Sequence, residues 1–235
     1  MRTLPFRVAI AGAALGLMAL PNVGAGGAAG SDNGEKPPIE QAIRAYESKR
    51  QAAEDNARDQ LIATKTTALL NDPLTPVIGS PKADVAVIEF FDYTCPFCKA
   101  IEPRLEKLLK EDERVKLVVK EFPILSPESM VATKAALASV KQGKYEQFHQ
   151  AMMMFKGRLQ NSTIFAIAKD VGLNVDRLRA DMQAPEITDE IIANFNLARG
   201  LRIFETPGFI VGTHMLTEPS AQIDFPKAVA TARAK

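Results

Sequence analysis

Both cysteines of this 235-residue chain stand in one stretch, FFDYTCPFCK, at positions 95 and 98. The residues that lead into it, VAVIEFF (Val85 to Phe91), form an apolar run of branched and aromatic side chains. The run is apolar on both faces except at Glu89, which predicts a central, buried strand. Pro96 suits the first position of a helix, and the pattern predicts one from Pro96 to Lys110. RVKLVVKEFPI then reads as the next strand. Strand, helix and strand with short joints predict a right-handed parallel crossover. The fold class is therefore α/β, with the first cysteine at a helix N-terminus beside the sheet.

That position has chemical consequences. The first N–H groups of a helix lack intrahelical partners, and the positive end of the macrodipole lies there. Both favour thiolate over thiol at Cys95. Cys95 is expected to be the exposed, low-pKa nucleophile, and Cys98, one turn on, the buried resolving thiol. A bridge across so short a loop would be a poor staple, so the pair is expected to be kept for its reactivity. A structural zinc site wants four ligands. The chain adds only His149 and His214, neither with a partner at ligand spacing, so no metal site within one chain and no cofactor is expected. His149 is read as part of a helix face and His214 as a turn residue. Binding of Cu(I) or zinc by paired thiolates of an oligomer is the alternative from another functional class.

Around this centre the chain reads in segments. Arg2 and Arg7 precede an apolar run, Val8 to Leu20, too short to span a bilayer comfortably, and small residues follow. Residues 1–25 are expected to be a signal peptide, with an uncleaved anchor as the alternative, and 26–38 a linker. Ile39 to Leu70 has no Gly or Pro and predicts one long helix within an extension, 39–75. Its thin apolar stripe is Ile39, Ile43, Tyr46, Ala53, Ala57, Leu61 and Leu69. NDPLTPVIGSPKAD breaks that helix. Pro127 to about Asn196 reads as helical throughout, GFIVGTHMLTE as a hairpin turning near Gly212–Thr213, and Gln222 to Lys235 as an amphipathic helix. With 29 Lys and Arg against 28 Asp and Glu, no nucleic-acid partner is implied.

EFFDYTCPFCK, EFPIL and TPGFIVG together resemble the DsbA-like branch of the thioredoxin superfamily, from about Asn71 to the C-terminus. The resemblance implies a thioredoxin-like domain (76–235) with a helical insertion at about 127–197, preceded by a long helix. It implies an exported, periplasmic or secreted thiol:disulfide oxidoreductase whose redox pair is Cys95 and Cys98. Thr206 and Pro207 match a loop with a cis proline that presents its backbone to an extended client. Glu89 matches an acid beneath the disulfide that takes a proton from Cys98; the alternative is an ordinary carboxylate paired with Lys120. Glu205 departs from the glycine common in relatives, and Pro96–Phe97 lacks the histidine of strong oxidants. Both departures suggest a milder pair, tuned by Glu205, and favour an isomerase or reductase over a dithiol oxidase. Phe97 with Met152–Met154 is a candidate groove for unfolded clients, the alternative being methionines in the core. Expected partners are unfolded or misoxidised exported proteins and a membrane redox partner. The N-terminal helix is similar to an oligomerisation helix found in a subset of the family, which implies a homodimer or homotrimer.

Overall fold

The computed structural model describes residues 38–234. The expected signal peptide and all of the expected linker but Pro38 lie outside the described residues. The chain divides into two compact units, residues 1–44 and 45–235. In the first unit the opening turns of helix α1 (Pro38–Thr64) carry an ion pair, Arg44 Nη2 to Glu40 at 3.3 Å. Ile39 and Ile43 are exposed there, as is Tyr46 at the start of the second unit.

The single helix expected over Ile39 to Leu70 is interrupted at Lys65. α2 (Thr66–Leu70) follows as a separate piece. The break coincides with two threonines whose hydroxyls donate back to the chain, Thr64 to the Leu61 carbonyl at 2.7 Å and Thr66 to Ala63 at 2.8 Å. Such local bonds compete with regular helix. Ile62, absent from the predicted stripe, is buried together with Leu69.

The sheet has the order β1-β3-β2-β4-β5. Its strands are β1 (Val77–Gly79), β2 (Val85–Phe91), β3 (Val115–Glu121), β4 (Gly208–Val211) and β5 (His214–Leu216), and α3 (Pro96–Glu111) joins β2 to β3. β2 and β3 are parallel, with Glu89 opposite Val119, and the remaining pairs are antiparallel. β1 arises inside the stretch read as a helix breaker. It fits at the edge of the sheet because Gly79 takes φ +101°, and a Cβ there would stand 3.1 Å from the Val115 carbonyl oxygen.

Alternation along β2 sends its side chains to two cores. Val85, Val87 and Phe91 pack with Ile101 and Leu105 of α3 and with Phe225 and Val229 of α9 (Phe225–Arg233). Ile88 and Phe90 pack with Ile62, Leu69, Leu197 and Leu201. Burying each such side chain contributes about 1.5–3 kcal/mol. Between β3 and β4 run α4 (Pro127–Ser139), α5 (Tyr145–Met154), α6 (Asn161–Asp170), α7 (Val175–Asp181) and α8 (Pro185–Gly200). Their joints fall at Gly143, Gly157, Gly172 and Pro185, and the helical stretch ends four residues later than expected.

Lys120 settles one alternative for Glu89. Because Glu89 lies opposite Val119, Lys120 points to the other face. There its ammonium donates to the Ala68 carbonyl at 2.9 Å and to the Thr75 hydroxyl, 4.0 Å from Glu190. Lys120 therefore ties α2 and α8 to the sheet and takes no part in the cysteine site. Among the described residues no helix is long and apolar enough to cross a membrane.

Candidate active site

The turn from β2 into α3 is built on Asp92. One carboxylate oxygen accepts from the Thr94 amide at 2.7 Å, the Thr94 hydroxyl at 2.9 Å and the Ser129 hydroxyl at 2.7 Å. The other accepts from the amides of Ile124 and Leu125 at 2.9 and 3.0 Å. The Asp92 carbonyl accepts from the Cys95 amide at 3.0 Å. Cys95 thus becomes the N-cap of α3, with Pro96 in the first turn. Sequence reading passed over Asp92; its signal was an acid three residues before a helix-capping cysteine, an arrangement that favours Asx turns.

Both cysteines are free thiols. Cys95 retains 2% of its surface and Cys98 none, so the expected exposed nucleophile is in fact sheltered. Its Sγ donates to the Thr206 carbonyl at 3.3 Å, which places the Thr206–Pro207 loop over the sulfur, and that peptide bond is cis. The Cys98 thiol, by donating to the Cys95 sulfur, holds the Cys95 pKa down to about 6. Burial opposes this, while the Thr206 hydroxyl and the Cys98 and Phe97 amides assist it. That hydroxyl is buried without a hydrogen-bond partner of normal length. Cys98 moves the other way: burial pushes its pKa far up, reinforced by its bond to Cys95 and by the Glu89 charge.

Glu89 is wholly buried on the α3 face, and neither of its oxygens has a hydrogen-bond partner. Burial raises its pKa well above the usual carboxylate range, and Glu102, Cys95 and Glu121 add to the rise. Glu205 is exposed in the loop beside Thr206. Phe97 is 63% exposed and lines an open cleft of about 550 Å³ with Phe204, Glu205, Thr206, Pro207 and Met215. The methionine groove is corrected: Met152 and Met153 face inward on α5 and belong to the core, and only Met154 is exposed.

Lys99, the residue after Cys98, ties the site to the insertion. Its ammonium donates to the carbonyls of Met152, Met153 and Phe155 at 2.6, 3.1 and 3.4 Å, closing the C-terminal end of α5. Burial lowers its pKa to about 8. A lysine near a helix C-terminus complements the macrodipole, but the sequence alone does not say which helix it meets. His149 lies on α5 as expected, wholly buried, with Nδ1 2.9 Å from the Tyr93 hydroxyl. His214 opens β5 and faces Asp59 at 3.1 Å. Among the described residues no group of three or more His, Cys, Asp or Glu could hold a metal ion.

Two thiols one turn apart, one held toward thiolate and the other toward thiol, form an arrangement capable of thiol–disulfide exchange. Residues 71–231 match the thioredoxin family model Thioredoxin_4. The chain belongs to that family, within its DsbA-like branch. A thioredoxin-like oxidoreductase from Silicibacter pomeroyi is 40% identical, with a TM-score of 0.68, over 72% of this chain and 98% of that one. The thiol-disulfide exchange protein alpha-DsbA2 from Wolbachia pipientis is 28% identical, with a TM-score of 0.69, over 76% and 97%. A Rickettsia typhi protein provisionally named as a protein-disulfide oxidoreductase is 28% identical over 160 residues, 64% of this chain. The chain spans 58% of that Rickettsia protein, and 26% of a Na(+)/H(+) antiporter of Salinispora tropica that it also matches at 27% identity.

Proposed function

We propose that this chain exchanges disulfides in exported proteins through Cys95-Pro96-Phe97-Cys98, as an isomerase or reductase in preference to a dithiol oxidase. The observation that carries this reading is the opposed pair of thiols, Cys95 held down to about 6 and Cys98 pushed up. The Cys95 thiolate attacks one sulfur of a client disulfide and expels the other as a thiolate. Cys98 gives its proton to Glu89 and attacks Cys95, releasing the second client thiol. The client gains two electrons and the pair loses two. In isomerisation the freed client thiolate instead attacks another client disulfide, and the client thiolate expelled there attacks the client sulfur of the mixed disulfide, forming the new client bond and releasing Cys95 as the thiolate. The extended client lies along the Thr206 backbone, with Phe97 and Phe204 as apolar contacts.

The periplasm or the exterior is the proposed location, with residues 1–25 as the export signal. A membrane redox partner returns the pair to the dithiol state. The exposed Ile39, Ile43 and Tyr46 of α1 suit pairing with the same helix of one or two further copies. A dimer or trimer sets several redox sites around one client, which favours isomerisation. The test is recovery of activity by a scrambled, disulfide-bonded enzyme. The reduced chain is expected to restore that activity, and Ile39→Asp with Ile43→Asp to yield a monomer by light scattering and slow the recovery. A chain that oxidises a reduced enzyme but leaves a scrambled one inactive overturns the isomerase reading.

A further inference from the structure

The cleft beside Cys95 has charged walls that the exchange reaction just described does not use. Besides its aromatic residues it is lined by two arginines, Arg58 of α1 and Arg202 just past α8. Arg202 takes φ +59°, in the left-handed region. The Ile203 amide donates to the Ala198 carbonyl at 2.8 Å, and the Arg202 amide to the Arg199 carbonyl at 3.1 Å. Together these bonds make a Schellman ending, whose left-handed position glycine usually fills. A side chain there costs free energy that glycine avoids. The chain does have a glycine two residues earlier, at Gly200, where a Cβ would meet nothing within 4 Å. Glycine thus stands where a side chain would fit, and arginine where glycine would. Strain of this kind at the rim of a cleft points to a role for the side chain. Arg202 is exposed, and among the described residues its guanidinium has no hydrogen bond or ion pair.

Arg58 reaches the cleft because the last turns of α1 are fastened to the domain. Ile62 is buried with Ile88, Phe90 and Ile210, and Asp59 faces His214 at 3.1 Å. Nη1 of Arg58 meets Asp55 at 3.1 Å, and among the described residues its other N–H donors have no partner. Two carboxylates also line the cleft, Glu205 beside Thr206 and Glu218 after β5, and neither pairs with either arginine. Two guanidiniums from separate elements therefore face one cleft with donors left open. Arg202 lies four residues before Thr206, a span of at most about 13–14 Å of extended chain.

We infer that Arg58 and Arg202 form a carboxylate subsite of the client cleft, which selects clients carrying an aspartate or glutamate within about four residues of the attacked cysteine. This rests on the reading of the cleft as the client site, and it adds the class of client preferred there. The client pairs with the Thr206 backbone, and the span back to Arg202 sets the distance from its cysteine to its acid. A guanidinium offers paired, planar donors that fit a carboxylate; a client amide fits them poorly and a client ammonium is repelled. The arginines touch neither sulfur, so the discrimination arises in binding and not in bond exchange. α1 thereby becomes part of the recognition surface.

The probes are peptides with one cysteine, carried as a mixed disulfide with an aromatic thiol. Each has aspartate, asparagine or lysine three residues before or three after the cysteine. Cys95 of the reduced full chain attacks the peptide sulfur and expels the coloured aromatic thiolate, which stopped flow follows. At one of the two positions aspartate is expected to lower the half-saturating concentration about fivefold against asparagine, with lysine weakest, while the limiting rate stays within about twofold. High salt should shrink the preference. Taken as a ratio within each protein, it should fall below about twofold in Arg202→Gly and in Arg58→Gln, and turn toward lysine in Arg202→Glu. Arg202→Gly is expected to melt no lower than the wild type, so its lost preference is not a loss of fold. Equal binding of the three peptides by the wild type, or a preference that survives both arginine changes, overturns the subsite. Phe97→Ala with Phe204→Ala separates the two readings. Weaker binding of every peptide leaves the cleft standing as the client site even where the subsite fails, and unchanged binding overturns the cleft and the subsite with it.

Discussion

Replacing Cys98 by alanine tests what holds the Cys95 thiolate. The ordinary thiol value is 9.0, and in this site it falls to about 6, with the Cys98 side chain as the largest contribution. A fall of that size is roughly 4 kcal/mol in favour of the thiolate. A hydrogen bond to a charged group is worth about 1.5–3 kcal/mol, so losing this donor moves the pKa to about 7–8. At pH 7 the thiolate fraction drops from roughly nine tenths to below about one half. The assay is thiolate ultraviolet absorbance against pH, checked by the rate of iodoacetamide alkylation; in the variant only one cysteine responds. Cys98→Ser, which keeps a shorter donor, should fall between. The stability of the reduced protein follows the same sign. A thiol whose folded pKa is lowered stabilises the fold above the unfolded value, and that contribution is lost as pH falls through about 6. Melting of the reduced wild type should therefore decline more between pH 8 and pH 5 than melting of Cys98→Ala. A Cys98→Ala protein that still titrates within about 0.3 of the wild-type value refutes this reasoning and assigns the effect to the helix amides and Thr206.

Three further outcomes follow from the same contacts. Thr206→Val should raise the Cys95 pKa by less than Cys98→Ala and lower reduced-state stability at pH 8, but not at pH 5, by a correspondingly smaller amount, as titration and melting will show. Lys120→Met should cost about 3–5 kcal/mol in denaturant unfolding by stranding buried Glu190, and adding Glu190→Gln should recover part of it. Asp92→Asn replaces an acceptor with a donor facing the Thr94 and Ser129 groups. A loss of at least about 2 kcal/mol and a raised Cys95 pKa are expected, measured by unfolding and by alkylation against pH.

The centre of the fold was legible because its signals are local. An apolar run flanked by turn residues specifies β2, and Pro96 after a cysteine specifies the start of α3. The joints of the insertion fell at glycine and proline for the same reason. What escaped depends on partners distant in sequence. β1 is three residues between prolines and becomes a strand only because β3 offers an edge. The inward turn of Met152 and Met153 is set by how α5 packs, which no local pattern states. Lys120 sits in an apolar strand, and nothing nearby in sequence shows that Thr75 and Glu190 await it. Within the site, the thiol pair and Glu89 were legible by type and spacing. The shelter over Cys95 was not, because Thr206 arrives from 111 residues away.

The Asp92 carboxylate bears on how this site could be moved to another scaffold. Five donors converge on it, from the redox turn, the loop before α4 and α4 itself. The segment from Asp92 to Cys98 is therefore not a portable cassette. Grafted onto a smaller relative that lacks Ser129 and the loop at 124–125, it would arrive with an acid facing nothing and a turn with no template. A transplant that works must carry the start of the insertion with it, and a circular permutation opened between Leu125 and Ser126 would cut beside the Leu125 amide that helps hold Asp92 in place.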